Sequence, residues 1–79
     1  MAKDDIRNVF RDPQPGDEIR YFGDTYVVTS VERHPGKVMV HVTINGQQNR
    51  RRSISKESWR SYEGDADVLV NRSVIDAFD

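Results

Sequence analysis

Apolar and polar residues alternate through the middle of the chain, and this two-residue period is typical of β-strands that bury one face. The clearest case is 37–44, where every even-numbered residue is valine or isoleucine and every odd-numbered one is lysine, methionine, histidine or threonine. Shorter alternating runs cover 18–21 and 26–32. Residues 47–54 are polar and rich in arginine, with Ile54 as the main apolar side chain. We therefore predict that this fourth strand lies at an edge of the sheet, where charge discourages pairing with other chains.

Turn residues separate these strands. The segments 22–25 and 34–37 each contain a glycine, and the dipeptide Asn45-Gly46 is the strongest short signal for a two-residue hairpin turn. Before the first strand, 12–17 contains two prolines and a glycine, which end any preceding helix. The spacing predicts strands joined by tight hairpin turns.

A short helical segment precedes the last strand. Ser55 is a favourable N-cap, and Trp59 then turns back onto the core. Residues 66–70 form the fifth strand. This order predicts a mainly β fold, a five-stranded SH3-like small β-barrel with a short helical turn before the last strand. An OB-type barrel is the alternative, but it usually has a longer helix between its third and fourth strands.

The composition agrees with this fold and limits the size of the domain. Ten valines and five isoleucines stand against one leucine, and β-branched side chains suit pleated sheets better than helices. A chain of 79 residues has room for one domain. We predict the barrel over 13–70, an N-terminal segment over 1–12 that includes a short helix, and a C-terminal tail or short helix over 71–79.

The turn glycines, strand valines and single tryptophan of 13–70 resemble those of small SH3-like barrel proteins of bacteriophages and prophages, and more loosely those of KOW and Tudor-like barrels. This resemblance implies a phage or prophage accessory protein that works in the cytoplasm of a bacterial host cell. It depends on the following residues: Pro15, Gly16, Asp17, Glu18, Ile19, Gly23, Tyr26, Val27, Val28, Val31, Glu32, Val38 to Val42, Gly46, Ser53, Ile54 and Trp59.

Charge is distributed unevenly along the chain. Residues 1–19 carry three basic and five acidic groups (−2), 20–60 carry eight and three (+5), and 61–79 carry one and five (−4), which together give −1. Phosphate groups or an acidic protein are natural partners for a basic surface of this kind. The alternative is structural: the arginines solvate an edge strand and pair with the acidic ends of the chain. The candidate binding residues are Arg50, Arg51, Arg52, Lys56 and Arg60, with Arg33 and Phe22 as neighbours.

Four aromatic residues form a second candidate surface. Near the first turn of a small barrel, Tyr21, Phe22, Tyr26 and Tyr62 could form a groove for an extended peptide or a platform on which bases stack. The alternative is structural: Tyr21 pairs with Tyr26 across the hairpin, and Phe22 covers the end of the barrel. Either arrangement leaves one of Tyr21 and Phe22 pointing outward.

Several kinds of chemistry lack their usual sequence signals. There is no cysteine, the spacing of His34 and His41 is not typical of metal ligands, and no nucleophile elbow or phosphate-binding glycine loop occurs. Apolar runs are too short for a membrane span or a signal peptide. We therefore expect no enzyme activity, cofactor, metal or membrane association.

The sequence thus favours a non-enzymatic, macromolecule-binding module with a protein partner. The first alternative is a nucleic-acid-binding protein that uses the basic surface of 50–60. The second is a subunit of an oligomer, in which Ile6, Val9 and Phe10, or Val74, Ile75 and Phe78, pack on a neighbouring copy.

Overall fold

The computed structural model describes residues 8–72. The helices predicted within 1–12 and 71–79, with Ile6, Val74, Ile75 and Phe78, lie largely or wholly outside these residues. The elements are β1 (Glu18–Tyr21), β2 (Asp24–His34), β3 (Lys37–Ile44), β4 (Gln47–Ser55), α1 (Lys56–Ser61), a 3₁₀ helix (Tyr62–Gly64) and β5 (Ala66–Val70).

The predicted strand pattern is confirmed. β1, β3 and β5 have the predicted bounds, β4 is one residue longer, and β2 extends two residues beyond each predicted end. All pairings are antiparallel in one sheet of order β4-β3-β2-β1-β5. β4 is therefore an edge strand, as its charged sequence predicts, and Ile54 is its only buried residue.

The closed barrel is not confirmed. Within residues 8–72, β4 and β5 are the two edges of the sheet and do not pair with each other. The sheet nevertheless has two irregular places at which strands can bend. In β2 the register with β3 shifts between Val28 and Ser30. In β4 the residues 48–50 are extra, because Thr43 pairs with Arg51 but Ile44 pairs with Gln47.

One face of the sheet carries the core. The even-numbered residues of β3 from Val40 onward are buried, as the alternation predicts, and Trp59 of α1 is fully buried against them. Ser55 accepts a hydrogen bond from the Ser58 backbone N–H, so it caps α1 as predicted. The buried apolar residues are Val9, Phe10, Ile19, Tyr26, Val28, Val40, Val42, Ile44, Ile54 and Trp59.

The segment before the sheet packs into this core. Trp59 Nε1 donates a hydrogen bond to the carbonyl of Val9 at 3.0 Å, and the rings of Phe10 and Trp59 lie 5.9 Å apart between centroids. Asn8 accepts backbone hydrogen bonds from Arg11 and Asp12, which makes this segment a turn. Because Val9 and Phe10 are buried in their own chain, they are not free to make the neighbour contact that the oligomer alternative assigns to them.

Candidate functional site

The arginines of β4 lie on two faces of the sheet. Arg52 is on the same side as Ile54, and its Nη1 donates to the hydroxyl of Tyr26 at 3.3 Å. Arg51 is on the opposite side, where its Nε and Nη2 donate to the carbonyl and the side-chain oxygen of Gln48 at 2.9 and 3.3 Å. Arg50 is exposed and lies in the extra segment 48–50. As alternation predicts, one phosphate backbone cannot contact all three guanidinium groups from one side.

Arg33 does not neighbour these arginines, contrary to expectation. It pairs with Val38 at the far end of β3, whereas Arg52 pairs with Val42. Four residues of strand separate the two positions by about 13 Å. Arg33 Nη2 instead donates to the Asp12 carboxylate at 3.1 Å and to the Pro13 carbonyl at 3.3 Å, so its charge is balanced locally.

Lys56 and Arg60 lie on α1, beyond the end of β4. Ser55, immediately before Lys56, pairs with Met39 near the start of β3. Arg60 shares a shallow surface depression with Glu57 and Glu63. The seven predicted binding residues are therefore spread over both ends and both faces of the sheet, and only Arg52 and Phe22 belong to one continuous set of contacts.

That set is built at the end of the sheet where two hairpin turns meet. The turns are Phe22-Gly23 and Asn45-Gly46, and all four residues have positive φ. Asn45 joins the turns, because its Nδ2 donates to Asp24 at 3.2 Å and its Oδ1 accepts from the Thr25 N–H at 2.9 Å. The β1–β2 and β3–β4 hairpins thus present one common end.

The tyrosines pack together at this end. Tyr21 and Tyr62 are stacked, with ring centroids 4.1 Å apart and an interplanar angle of 19°. Tyr26 meets both rings edge-on at 6.2 Å, and the Arg52 Cζ lies 6.0 Å from the centroid of the Tyr26 ring. Phe22 meets Tyr21 edge-on at 4.5 Å. We call Tyr21, Phe22, Tyr26, Tyr62 and Arg52 the aromatic patch.

Within the aromatic patch, the rings differ in exposure. Phe22 is 78% exposed, while Tyr26 is buried and Tyr21 and Tyr62 are half-buried. The prediction that Phe22 covers the end of a barrel is therefore wrong. Tyr21 and Tyr26 are diagonal neighbours rather than a direct cross-strand pair, since their register partners are Asp24 and Ile19. Burial, and then the neighbouring Tyr26 and Tyr21, raise the pKa of Tyr62 above 10.0.

Comparison of the chain with protein-family models, curated proteins and solved structures found no match. The site must therefore be understood from its own geometry.

The opposite face of the sheet holds a polar groove of about 390 Å³. We call it the outer groove; it is lined by Thr29, Ser30, His41, Val42, Thr43, Gln48, Arg51, Arg52 and Ser53. The sequence places His41 and Thr43 on this face through the alternation of β3. It does not predict a concavity, which lies beside the irregular places in β2 and β4.

A chain of hydrogen bonds runs along the edge of the outer groove. Ser53 Oγ lies 2.8 Å from His41 Nδ1, and His41 Nε2 lies 3.0 Å from Glu32 Oε1. The other Glu32 oxygen is 2.6 Å from His34 Nε2. Hydrogen bonds from His34 and then His41 hold the pKa of Glu32 below its usual value. The spacing of these residues in the sequence does not predict these hydrogen bonds, because they join three different strands.

Two further observations concern other kinds of site. In residues 8–72, no group of three or more histidine, aspartate or glutamate side chains is arranged to hold a metal ion. The helices in this part of the chain are too short and too polar to cross a membrane.

Proposed function

We propose that the protein is a protein-interaction module, and that its aromatic patch binds an extended segment of a partner protein. The observation that carries this proposal is the exposure and backbone conformation of Phe22. This large apolar side chain is 78% exposed, and its backbone has a φ of 50°. Neither property helps the chain to fold.

The backbone of Phe22 argues for a role outside folding. A bulky residue in the left-handed region is strained by about 1–2 kcal/mol. Asparagine fits the first position of this turn, as Asn45 does in the neighbouring hairpin with φ of 55°. The edge-on contact with Tyr21 returns about 0.5–1.5 kcal/mol at most, so phenylalanine brings no clear gain in stability over asparagine.

The composition of the aromatic patch suits a protein ligand. Tyrosine, phenylalanine and arginine are enriched at the centres of protein interfaces, where a few such residues dominate affinity. Arg52 is held in place by the Tyr26 hydroxyl, so its remaining donors can meet a carboxylate without much loss of side-chain entropy. The favoured ligand is therefore an extended peptide with an apolar anchor for Phe22 and an acidic residue for Arg52.

The strand order also supports an SH3-like architecture, which we propose for the chain. A long second strand that pairs on both sides, a fifth strand beside the first, and a helical turn before the last strand are all in place. A phage or prophage accessory role remains a proposal based on the resemblance of 13–70 alone.

The test selects peptides from a displayed random library against the immobilised chain and maps one enriched peptide by amide chemical shifts. We expect shifts around the aromatic patch. Phe22→Asn should weaken peptide binding by about 30-fold or more, the effect of losing a central interface residue. The same variant should unfold in urea with unchanged or up to about 1 kcal/mol greater stability, because its turn is relaxed.

Leu69→Asn is the matched control, since Leu69 is 41% exposed on β5 outside the aromatic patch. It should retain peptide affinity within about twofold. Equal binding by native and Phe22→Asn protein would overturn the proposal. So would salt-sensitive binding of a DNA duplex or single-stranded RNA with shifts over 50–60 and none at the aromatic patch, which is the signature of the nucleic-acid alternative.

A further inference from the structure

The outer groove contains a buried polar group that the protein itself does not use. Thr43 lines the groove and is 4% exposed. Its hydroxyl makes no hydrogen bond to another side chain or backbone group in the described part of the chain. Buried hydroxyls without partners are unusual and destabilising. This position favours a ligand that supplies the missing partner.

The guanidinium of Arg51, which has free hydrogen-bond donors, lies beside the Thr43 hydroxyl. Arg51 is the cross-strand partner of Thr43, and such side chains lie about 5 Å apart at their Cβ atoms. Gln48 fixes the guanidinium through Nε and Nη2. Nη1 makes no hydrogen bond within residues 8–72. The group is therefore pre-oriented and keeps donors available for an anion.

The next cross-strand pair adds further polar groups. His41 is opposite Ser53 on the same face, two residues from Thr43 and Arg51. Ser30 lines the same groove from β2. A guanidinium and several hydroxyls that converge from different strands match the several oxygens of a tetrahedral oxyanion better than the two coplanar oxygens of a carboxylate.

From these contacts we infer that the outer groove binds a small organic phosphate, with its phosphoryl group held by Arg51, Thr43 and Ser53. The volume of about 390 Å³ is within the usual range of small-molecule sites. A polymer backbone would need a longer basic track. Arg33 does not extend one, because it lies on β2 opposite Val38 and pairs with Asp12. Arg52 of the aromatic patch also lines the groove. Arg51, Thr43 and Ser53 nevertheless alternate to the opposite face from Arg52 and Tyr26, so the inference does not depend on the proposed function.

His41 sets the direction of the Ser53 hydroxyl. The charged groups that face it are Glu32 of β2, with His34 beyond it, and Arg51 of β4. With His41 Nε2–H donating to Glu32, Nδ1 accepts the hydrogen of Ser53. The Ser53 hydroxyl can rotate, so a bound phosphoryl oxygen competes with Nδ1 for this hydrogen.

The experiment titrates the isotope-labelled full chain with ribose 5-phosphate, inorganic phosphate, acetate and sodium chloride at equal ionic strength. Both phosphates should give saturable amide shifts at Thr43, Arg51 and Ser53, and ribose 5-phosphate should bind more tightly.

Two variants and two controls decide the outcome. Arg51→Gln should weaken phosphate binding about tenfold or more. Thr43→Val should weaken it about threefold to tenfold, while its unfolding midpoint stays the same or rises because a buried hydroxyl without a partner is removed. Arg33→Gln should bind as the native chain does, and so should Phe22→Asn, which separates this site from the aromatic patch.

The inference is overturned if chloride reproduces the shifts, if acetate binds as tightly as phosphate, or if Arg51→Gln binds normally. It is also overturned if a DNA duplex shifts the groove residues while ribose 5-phosphate does not, because the ligand is then a polymer.

Discussion

Two residues at one end of the sheet have the same backbone conformation and opposite chemical character. Phe22 and Asn45 are both the first residue of a two-residue turn, with φ of 50° and 55°. The side chain of Asn45 joins two hairpins, so a role in folding explains why asparagine is at this position. Phe22 is exposed and strained, and we attribute its presence to binding, since strain is typically retained at functional positions.

Glu32 makes the free energy of unfolding depend on pH in the acid range. Its pKa is lowered from 4.5 by hydrogen bonds from His34 and then His41. A lowered pKa in the folded state stabilises the protein above the unfolded pKa, and this contribution is lost as pH falls through the folded value. Urea unfolding should therefore show Glu32→Gln to be less stable than the native chain at about pH 5.5, with the difference disappearing by about pH 3.

Asp65→Asn is the control for this titration, because Asp65 is exposed and its carboxylate makes no hydrogen bond in residues 8–72. Asp65→Asn should not show a loss of stability at about pH 5.5 that disappears by about pH 3. A constant difference between Glu32→Gln and native protein down to about pH 3 would show that the carboxylate charge is not the cause.

At the level of elements, the β3–β4 hairpin combines a regular turn with an irregular strand. Asn45-Gly46 forms the two-residue turn with positive φ at both residues, and the extra segment 48–50 follows at once. The turn aligns the strands, and after the extra residues the regular alternation of β4 puts Arg51 and Arg52 on opposite faces. The hairpin therefore supplies one arginine to the aromatic patch and another to the outer groove.

The turn itself can be tested by separating backbone and side-chain effects at Asn45. Asn45→Ala should destabilise the protein by about 2 kcal/mol in urea unfolding, because alanine tolerates positive φ poorly and cannot bond to Asp24 and Thr25. Asn45→Gly keeps the backbone conformation and should lose about 1 kcal/mol. Equal losses in the two variants would mean that the backbone conformation contributes nothing.

On the scale of the whole molecule, Asp17 joins the segment before β1 to the segment after β5. It is fully buried, and its two carboxylate oxygens accept from the Gln14 N–H at 2.8 Å and the Arg72 N–H at 2.9 Å. The Arg72 side chain also covers Gly16, where a Cβ atom would come within 2.8 Å of it. This contact fixes the exit from β5 beside the entrance to β1.

Removal of this carboxylate should affect global stability. Asp17→Ala removes a fully buried carboxylate that accepts two part-buried backbone hydrogen bonds, so we expect a loss of about 3 kcal/mol in urea unfolding. The control Asp67→Ala removes an exposed carboxylate from β5 and should change stability by no more than about 0.5 kcal/mol. A loss at Asp17 no larger than that of the control would remove Asp17 as a link between the termini of the sheet.

The sequence by itself determined the local elements. Alternation in 37–44, the Asn45-Gly46 turn, the Ser55 cap and the charged edge strand 47–54 are signals carried by neighbouring residues, and the structure confirms each of them. The sequence also identified the aromatic residues and arginines as candidates, because their types are unusual for a small core.

Only the tertiary structure decided which candidates meet. Strand register places Tyr62 against Tyr21, joins Ser53 to His41 and Glu32, and separates Arg33 from Arg52. These contacts join residues far apart in sequence, and the extra segment 48–50 shifts the register in which β4 pairs with β3. Local pattern cannot fix such contacts, because the same alternation is compatible with several registers and only the packing of the whole sheet selects one.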